Sequence, residues 1–217
     1  MRRKRKKALI VGVSFLLAVA SIGCTPGEDL ADDAQNLPEK KDKEDPSPQL
    51  LKNREFLNLV HRLNPDIDKE TLTRIAEAIE KYGGKYNVPD NLIVSVIAVE
   101  SNFNPRCLGT LDDTGLMQIR MKYAPYWAKL MGIKAPANRE ELLDIETNIQ
   151  IGTFILKYLL NYYDNNLEKV LVAYNAGQTY VDRKLATAGS LPKKYVNKVS
   201  QYHLELCNAP VTQAFAY

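Results

Sequence analysis

Residues 92–101 read LIVSVIAVES, a mostly apolar run that ends in a glutamate and a serine. Pro89 and Asp90 precede the run and suit the first turn of a helix. Residues 102–105, NFNP, suit its end. We therefore predict a buried helix that begins near Asp90 and closes just past Glu100. In that place the Glu100 carboxyl group would have apolar neighbours and the negative end of a helix dipole beside it, and both favour its protonated form.

Four further segments follow this helix in order. They are GLMQI at 115–119, DIETNI at 144–149, AYNAG at 173–177 and LPKKYV at 191–196. Together with Glu100 and Ser101, they resemble the signature of the soluble-lytic-transglycosylase-type domain, the lysozyme-like catalytic module that cleaves the glycan strands of bacterial cell wall. The resemblance extends from Gly84 to Leu206.

The resemblance implies a mainly α, lysozyme-like fold and a reaction carried by one carboxyl group. Glu100 would protonate the glycosidic oxygen between N-acetylmuramic acid and N-acetylglucosamine, and would then accept a proton as the reaction completes. The muramic 6-hydroxyl would attack its own anomeric carbon, so that a 1,6-anhydro sugar forms without an activated water. The implied partner is the glycan strand of peptidoglycan.

The same resemblance indicates which side chains bind the substrate. They are Ser101, Met117, Gln118, Tyr174, Asn175 and Tyr195. Met117 is expected to set its thioether against a pyranose face, and Gln118 to bind hydroxyl or acetamido groups. The hydroxyl group of Tyr195 is expected to approach Glu100 and orient its carboxyl group by a hydrogen bond.

Asp112 and Asp113, in the loop before Gly115, leave a second outcome open. Ordinary glycosidases use two carboxyl groups. An aspartate that faced the cleft opposite Glu100 and held a water would favour hydrolysis. The alternative, which we expect, is that both are solvated loop residues that cap the next helix.

The N-terminus has the pattern of a secretory signal peptide, predicted as residues 1–23. Six basic residues occupy positions 2–7, and an uncharged, mostly apolar run follows at 8–23. This run is shorter than the ~20 residues of a membrane span and suits the apolar region of a signal.

Residues 20–24, ASIGC, resemble a bacterial lipobox, which implies that Cys24 is lipidated. The alternative is an uncleaved anchor. Both place the following residues in the cell envelope, facing the periplasm and tethered to a membrane. Thr25 after the cysteine favours the outer over the inner membrane.

Residues 24–50 are predicted to form a flexible, lipid-attached linker. Residues 25–50 hold eight acidic residues, three lysines and four prolines, with little apolar periodicity, so they cannot bury enough surface to order themselves. Removal of the leader changes the net charge from +3 to −3. The basic balance of the whole chain therefore indicates no nucleic-acid partner.

Helical periodicity dominates the rest of the chain. Residues 51–83 are predicted as an N-terminal helical extension whose second helix runs from about Asp66 to a stop at Gly83-Gly84. The catalytic domain is assigned to 84–207 and a C-terminal tail to 208–217. Later helices are predicted near residues 123–131, 146–163, 167–175, 179–187 and 193–207.

If Cys24 is lipidated, Cys107 and Cys207 remain as an even pair. In an oxidising envelope compartment they could form a disulfide between the loop after Glu100 and the C-terminal helix. The alternative is that both are separate small hydrophobic residues.

Other chemistries find little support in the sequence. The only two histidines, His61 and His203, fall in ordinary predicted helices, so a Ser-His-Asp hydrolase is unsupported. No spacing of His, Cys and Asp resembles a metal centre, and no glycine-rich phosphate loop is present. No cofactor is expected.

Three functions remain in competition. The foremost is a membrane-anchored lytic transglycosylase, and the second is a lysozyme-like muramidase that hydrolyses the same bond on the same scaffold. The third is a non-catalytic glycan-binding lipoprotein. The presence of Glu100 within all its surrounding motifs argues against the third.

Overall fold

Helices follow one another along residues 47–207, the part of the chain that this computed structural model describes. The nine α-helices of that part are α1 (Arg54–Leu63), α2 (Lys69–Tyr86), α3 (Asp90–Ser101), α4 (Ala124–Met131), α5 (Arg139–Leu143), α6 (Ile145–Tyr162), α7 (Leu167–Ala176), α8 (Gln178–Ala186) and α9 (Lys194–Cys207). An antiparallel hairpin of strands β1 (Asp113–Thr114) and β2 (Ile119–Arg120) lies between α3 and α4, and 3-10 turns occupy Gln49–Lys52 and Met121–Tyr123. The expectation of a mainly α fold is confirmed.

The predicted signal peptide at 1–23, the lipidation of Cys24 and the tail at 208–217 lie outside the described residues and remain predictions. The last residues of the predicted linker are ordered, because Leu50 is buried and its backbone N–H donates to Glu80 Oε1 at 2.6 Å. Within residues 47–207, no helix combines the length and the apolar composition that a bilayer crossing requires.

Helix α3 is the centre of the core. Six of its apolar residues are completely buried: Leu92, Ile93, Val94, Val96, Ile97 and Ala98. A helix that is apolar on all sides needs neighbours on all sides, and α3 packs against both α2 and α9. Its start after Pro89 agrees with the prediction, and Asn102 ends it in the left-handed conformation, with φ 51°. Glu100 is thereby held in the last turn, at the edge of the core.

The five later predicted helices correspond to α4, α6, α7, α8 and α9, with each end within one residue of the prediction. Helix α6 begins where the DIETNI segment indicates, and Asp144 caps it by accepting the backbone N–H of Thr147 at 2.9 Å. Helix α5 was not predicted. It has five residues, too few for a hydrophobic period to be visible in sequence.

The predicted stop of the second helix at Gly83-Gly84 is wrong, because α2 continues to Tyr86. Asn87 ends it in the left-handed conformation, with φ 52°. Gly83 serves a different purpose: a Cβ there would collide with Asp90 Oδ1. The glycine therefore lets the start of α3 approach α2 closely, and the predicted domain boundary falls inside a continuous helix.

Asn148, fully buried on α6, holds the hairpin to the helical body. Its Oδ1 accepts the backbone N–H of Met117 at 2.8 Å, and its Nδ2 donates to the carbonyl oxygens of Thr114 and Leu142 at 2.9 and 2.8 Å. Gly115, with φ 78°, lies so close that a Cβ there would collide with the Asn148 amide. One amide thus satisfies three buried backbone groups.

Asp112 and Asp113 do not cap a helix, which corrects the prediction. Asp113 begins β1 and pairs in register with Arg120 of β2. Asp112 lies just before the strand with φ 65° and forms an exposed ion pair with Arg139. The strands have two residues each, too few for an alternating pattern to reveal them.

Within residues 47–207, no disulfide joins Cys107 to Cys207 in this structure. Cys207 Sγ donates to the carbonyl oxygen of His203 on its own helix at 3.0 Å. Burial raises the pKa of the Cys107 thiol, and the nearby carboxylate of Glu100 raises it further.

Replacing Asn148 with leucine should lower the free energy of unfolding by about 3 kcal/mol, because three buried backbone groups would lose their partner. Urea denaturation followed by circular dichroism measures this change. Asn161→Leu, at an exposed position on the same helix, is the matched control and should change stability by less than about 0.5 kcal/mol. Equal effects of the two variants would contradict the role given to Asn148.

Candidate active site

A cleft of about 900 Å³ opens beside the end of α3. Its polar lining includes Glu100 from α3, Asp113, Gln118 and Arg120 from the hairpin, and Asn175 from α7. Its apolar walls include Leu111, Tyr123, Tyr126, Trp127, Ile155 and Tyr180. A groove with apolar and aromatic walls and a few convergent polar groups is the usual form of a ligand site.

Glu100 is the most perturbed carboxyl group of the cleft. Its pKa is raised to about 7 by three influences together: burial, the largest, raises it, the hydrogen bond from Tyr195 lowers it, and the charge of Asp113 raises it. The Tyr195 hydroxyl group donates to Glu100 Oε1 at 2.5 Å. Near neutral pH the protonated and ionised forms of Glu100 are therefore both populated, as a group that both gives and takes a proton requires.

Tyr195 comes from the first turn of α9, 95 residues further along the chain than Glu100. It reaches the carboxyl group because α9 packs along α3. Burial and the adjacent charge of Glu100 hold the pKa of Tyr195 well above its usual value. The phenol therefore keeps its proton and remains a hydrogen-bond donor to the carboxyl group.

Tyr174 of α7 connects the cleft wall to the hairpin. Its hydroxyl group donates to the carbonyl oxygen of Met117 at 2.9 Å. Burial, and then the charge of Glu100, raise the pKa of Tyr174 as well. Glu100 thus lies near two phenols that stay neutral. Tyr195 donates a hydrogen bond to Glu100 itself, and Tyr174 donates one to the hairpin turn.

Asp113 and Arg120 form an ion pair across the hairpin. Arg120 Nε lies 2.8 Å from Asp113 Oδ1, and the two side chains are 33% and 23% exposed. The in-register pairing of β1 with β2 places them opposite each other. Both residues line the cleft that contains Glu100. The pair therefore places a hydrogen-bond acceptor, Asp113, and a donor, Arg120, in that cleft.

The transglycosylase SLT domain, as a family model, matches residues 77–197, more than half of the 217-residue chain. The chain belongs to this family. The match begins inside α2 and ends in α9, so it includes Glu100 and every segment on which the resemblance was based.

Relatives of this chain with known names are lytic murein transglycosylases. The chain is 33% identical over 101 residues to the soluble lytic murein transglycosylase of Escherichia coli, which covers 46% of this chain and 16% of that one. It is 32% identical over 135 residues to the membrane-bound lytic murein transglycosylase E of Buchnera aphidicola, which covers 62% of this chain and 61% of that one. The matched regions therefore span less than two thirds of these relatives.

Among solved structures, the 70 kDa soluble lytic transglycosylase of Escherichia coli superposes with a TM-score of 0.55 at 28% identity. The superposition covers 60% of this chain and 23% of that one. Together with the family match, it confirms the predicted fold class, a lysozyme-like SLT domain.

Two of the predicted substrate-binding side chains lie away from the cleft. Ser101 is buried, and its hydroxyl group donates to the carbonyl oxygen of Ile97 one turn back in α3, at 3.1 Å. Met117 is completely buried and lies against Gly152, where a Cβ would collide with its sulfur. Neither can touch a sugar in this conformation. Met117 contributes through its backbone instead, as acceptor for Tyr174.

Gln118, Tyr174 and Asn175 line the cleft as predicted, while Tyr195 lies behind Glu100 and bonds to it. The Gln118 amide group is already engaged, because its Nε2 donates to the carbonyl oxygens of Cys107 and Gly115 at 3.2 and 2.9 Å. Asn175 is exposed at the end of α7. The roles of these residues toward a substrate remain predictions.

Several cleft residues were not selected from the sequence. They are Arg120, Tyr123, Tyr126, Trp127 and Tyr180. Residues 120–127 read RMKYAPYW and contain two tyrosines and the only tryptophan of the chain. That local density of aromatic residues was the available signal. Within residues 47–207, no group of three or more His, Cys, Asp or Glu side chains could hold a metal ion.

Glu100→Gln should stabilise the fold at high pH. The raised pKa means that the folded state loses stability as pH rises from about 4.5 to about 7, because over this range Glu100 ionises in the unfolded chain but stays protonated in the folded one. The glutamine variant should match the parent near pH 4 and exceed its free energy of unfolding by about 3 kcal/mol above pH 8. Urea denaturation over this pH range gives the difference.

The matched control is Glu77→Gln, at an exposed position on α2, where no burial is relieved. If the advantage of Glu100→Gln is constant with pH, or is largest at low pH, Glu100 does not have the raised pKa described here.

Proposed function

We propose that this chain is a peptidoglycan lytic transglycosylase that cleaves the β-1,4 bond between N-acetylmuramic acid and N-acetylglucosamine, with Glu100 as its sole general acid and base. The observation that carries the proposal is the placement of Glu100: it is half-buried at the cleft, its pKa is raised to about 7, and its Oε1 accepts a hydrogen bond from Tyr195. The SLT family membership and the names of the relatives support the same assignment.

In the first step, protonated Glu100 donates its proton to the glycosidic oxygen. The bond between that oxygen and the muramic anomeric carbon breaks, and the N-acetylglucosamine product leaves with a hydroxyl group. The acetamido group of muramic acid stabilises the electron-poor carbon as an oxazolinium-like species. Glu100 is now a carboxylate, and the hydrogen bond from Tyr195 favours this charged form.

In the second step, the muramic 6-hydroxyl group attacks its own anomeric carbon. A bond forms between that carbon and the 6-oxygen, and the hydroxyl proton passes to the carboxylate of Glu100. The enzyme returns to its starting form, and the product is a 1,6-anhydro end. No water is consumed, so a second carboxyl group is not required.

The other polar residues of the cleft position the strand. Asn175 offers an exposed amide to sugar hydroxyl or acetamido groups, while Gln118 and Tyr174 act mainly by holding the hairpin turn in place. Trp127 and Tyr180 offer aromatic walls to the apolar faces of the pyranose rings.

Hydrolysis is the second candidate, and Asp113 is the observation that favours it. Asp113 lines the same cleft as Glu100 and is close enough to raise its pKa, so it could hold an attacking water. Its ion pair with Arg120 weakens this candidate, because the guanidinium group already occupies Asp113 Oδ1 at 2.8 Å. A carboxylate bound in this way is a poorer base.

We further infer that the enzyme is anchored to a membrane of the cell envelope through a lipid on Cys24 and faces the periplasm. The ASIGC segment and the membrane-bound names of several relatives support this location. Thr25 favours the outer membrane.

Mass spectrometry of peptidoglycan digested with the enzyme tests the reaction. We expect muropeptides with anhydro ends, one water lighter than reducing ends. Glu100→Gln should lower the cleavage rate by about 100- to 10,000-fold, because the proton donor is lost. Asp113→Asn should leave the anhydro product unchanged.

Reducing ends that disappear in Asp113→Asn would support the hydrolase instead. Cleavage by Glu100→Gln at the parent rate would refute the role given to Glu100, and an absence of any product from the parent would support a non-catalytic glycan-binding protein.

A further inference from the structure

An aromatic strip runs from the cleft wall along helix α6. It consists of Tyr126, Trp127, Tyr158 and Tyr162. Its ring centroids follow one another at 5.0 Å from Tyr126 to Trp127, 5.3 Å from Trp127 to Tyr158 and 6.3 Å from Tyr158 to Tyr162. The last pair occupies positions i and i+4 of α6, on one face of the helix, with nearly parallel rings at 17°.

The two ends of the strip are open to solvent, while Trp127 and Tyr158 between them are half-buried and pack against the core. Tyr126 is 53% exposed and Tyr162 is 49% exposed, although large aromatic side chains usually bury most of their surface. Single exposed apolar residues are ordinary, but a contiguous row of them marks a binding surface. The half-buried rings of Trp127 and Tyr158 join the exposed rings of Tyr126 and Tyr162 into such a row.

Fixed contacts hold the far end of the strip in place. The Tyr162 hydroxyl group donates to Asp182 Oδ2 at 3.1 Å, and that of the adjacent, buried Tyr163 donates to Asp182 Oδ1 at 2.9 Å. The Tyr162 ring also packs edge-on against Tyr163, with centroids 4.8 Å apart. The exposed rings are thus ordered before any ligand arrives, which reduces the entropy lost on binding.

The strip is continuous with the cleft at one end. Tyr126 and Trp127 line the cleft and also begin the strip. Asp182, which holds Tyr162, belongs to α8, and the first residues of α8, Gln178 to Tyr180, form part of the cleft wall. A chain that leaves the cleft past Trp127 would therefore meet Tyr158 and Tyr162 next.

We propose that the aromatic strip binds the part of a glycan strand that lies outside the cleft. A pyranose ring has an apolar face of C–H bonds that packs on an aromatic face, and a β-1,4-linked polymer repeats that face along its length. The four side chains offer aromatic faces, and such faces suit the C–H faces of sugar rings.

This inference rests on the proposed function, since it takes the same polymer for both surfaces. The cleft holds the sugars on either side of the cleaved bond, and the strip adds affinity for long strands alone. Sites linked along one polymer gain through effective concentration, so even a weak strip strengthens the binding of long substrates.

The test uses the Glu100→Gln chain, which binds without cleavage under the proposed function. Trp127 is the only tryptophan of the chain and lines the cleft, so its fluorescence reports binding. We compare the Kd of a peptidoglycan tetrasaccharide with that of long, peptide-free glycan strands. Adding Tyr162→Ser should weaken long-strand binding about tenfold, the value of one aromatic contact, and leave the tetrasaccharide Kd unchanged.

Two control substitutions isolate the ring. Tyr162→Phe keeps the aromatic face, so its Kd for long strands should equal that of the chain with Tyr162. Leu204→Ser alters an apolar side chain of α9 that is 50% exposed, and it should change neither Kd.

The proposal would be overturned if Tyr162→Ser left the Kd of long strands unchanged. It would also be overturned if the substitution raised the Kd of long strands and the Kd of the tetrasaccharide by the same factor. A chain that binds the tetrasaccharide but shows no advantage for long strands would overturn it as well. A failure of both ligands to bind even with Tyr162 intact would instead refute the proposed function, so the two failures are distinguishable.

Discussion

The hydrogen bond from Tyr195 to Glu100, made where water is largely excluded, is the interaction on which the site depends. Burial alone would keep the carboxyl group protonated, and the hydrogen bond alone would keep it ionised. Their opposition brings the pKa to about 7. The rest of the fold maintains this balance: α2 and α9 pack against α3 so that Glu100 lies at the edge of the core, and α9 carries the Tyr195 hydroxyl group to 2.5 Å from Glu100 Oε1.

The hairpin provides the second support of the site, mostly by contacts that never reach a substrate. Asn148 of α6 accepts the backbone N–H of Met117 in the hairpin turn, and Tyr174 of α7 donates to the Met117 carbonyl oxygen. The side-chain amide of Gln118 donates to the backbone carbonyl oxygens of Cys107 and Gly115 and so joins two parts of this loop. Because the turn is held in this way, the Asp113–Arg120 pair is held beside Glu100. The GLMQI segment therefore stabilises one side of the cleft, and its methionine, Met117, packs in the hydrophobic core.

Most of the helical fold could be predicted from the sequence, because helices of about eight or more residues are long enough to show their apolar period. The hairpin could not, since two-residue strands have no period, and neither could the ion pair, since Asp113 and Arg120 meet only through its register. Gly83 misled because a glycine that permits close packing looks the same in sequence as one that ends a helix. Ser101 and Met117 misled for another reason: a family motif specifies a position in the fold without specifying where the side chain points. The link between Tyr195 and Glu100 was predicted only through the family resemblance, because 95 residues separate them.

Under the proposed mechanism Glu100 must carry its proton when substrate arrives, and the pH dependence of kcat/KM on soluble glycan strands tests this most directly. In such a profile the free enzyme's essential acid sets the limb that falls as pH rises. The raised pKa of Glu100 predicts a fall with a midpoint at about 7. A midpoint near 4.5, the ordinary value of a glutamate, would contradict the claim that burial keeps this carboxyl group protonated for catalysis.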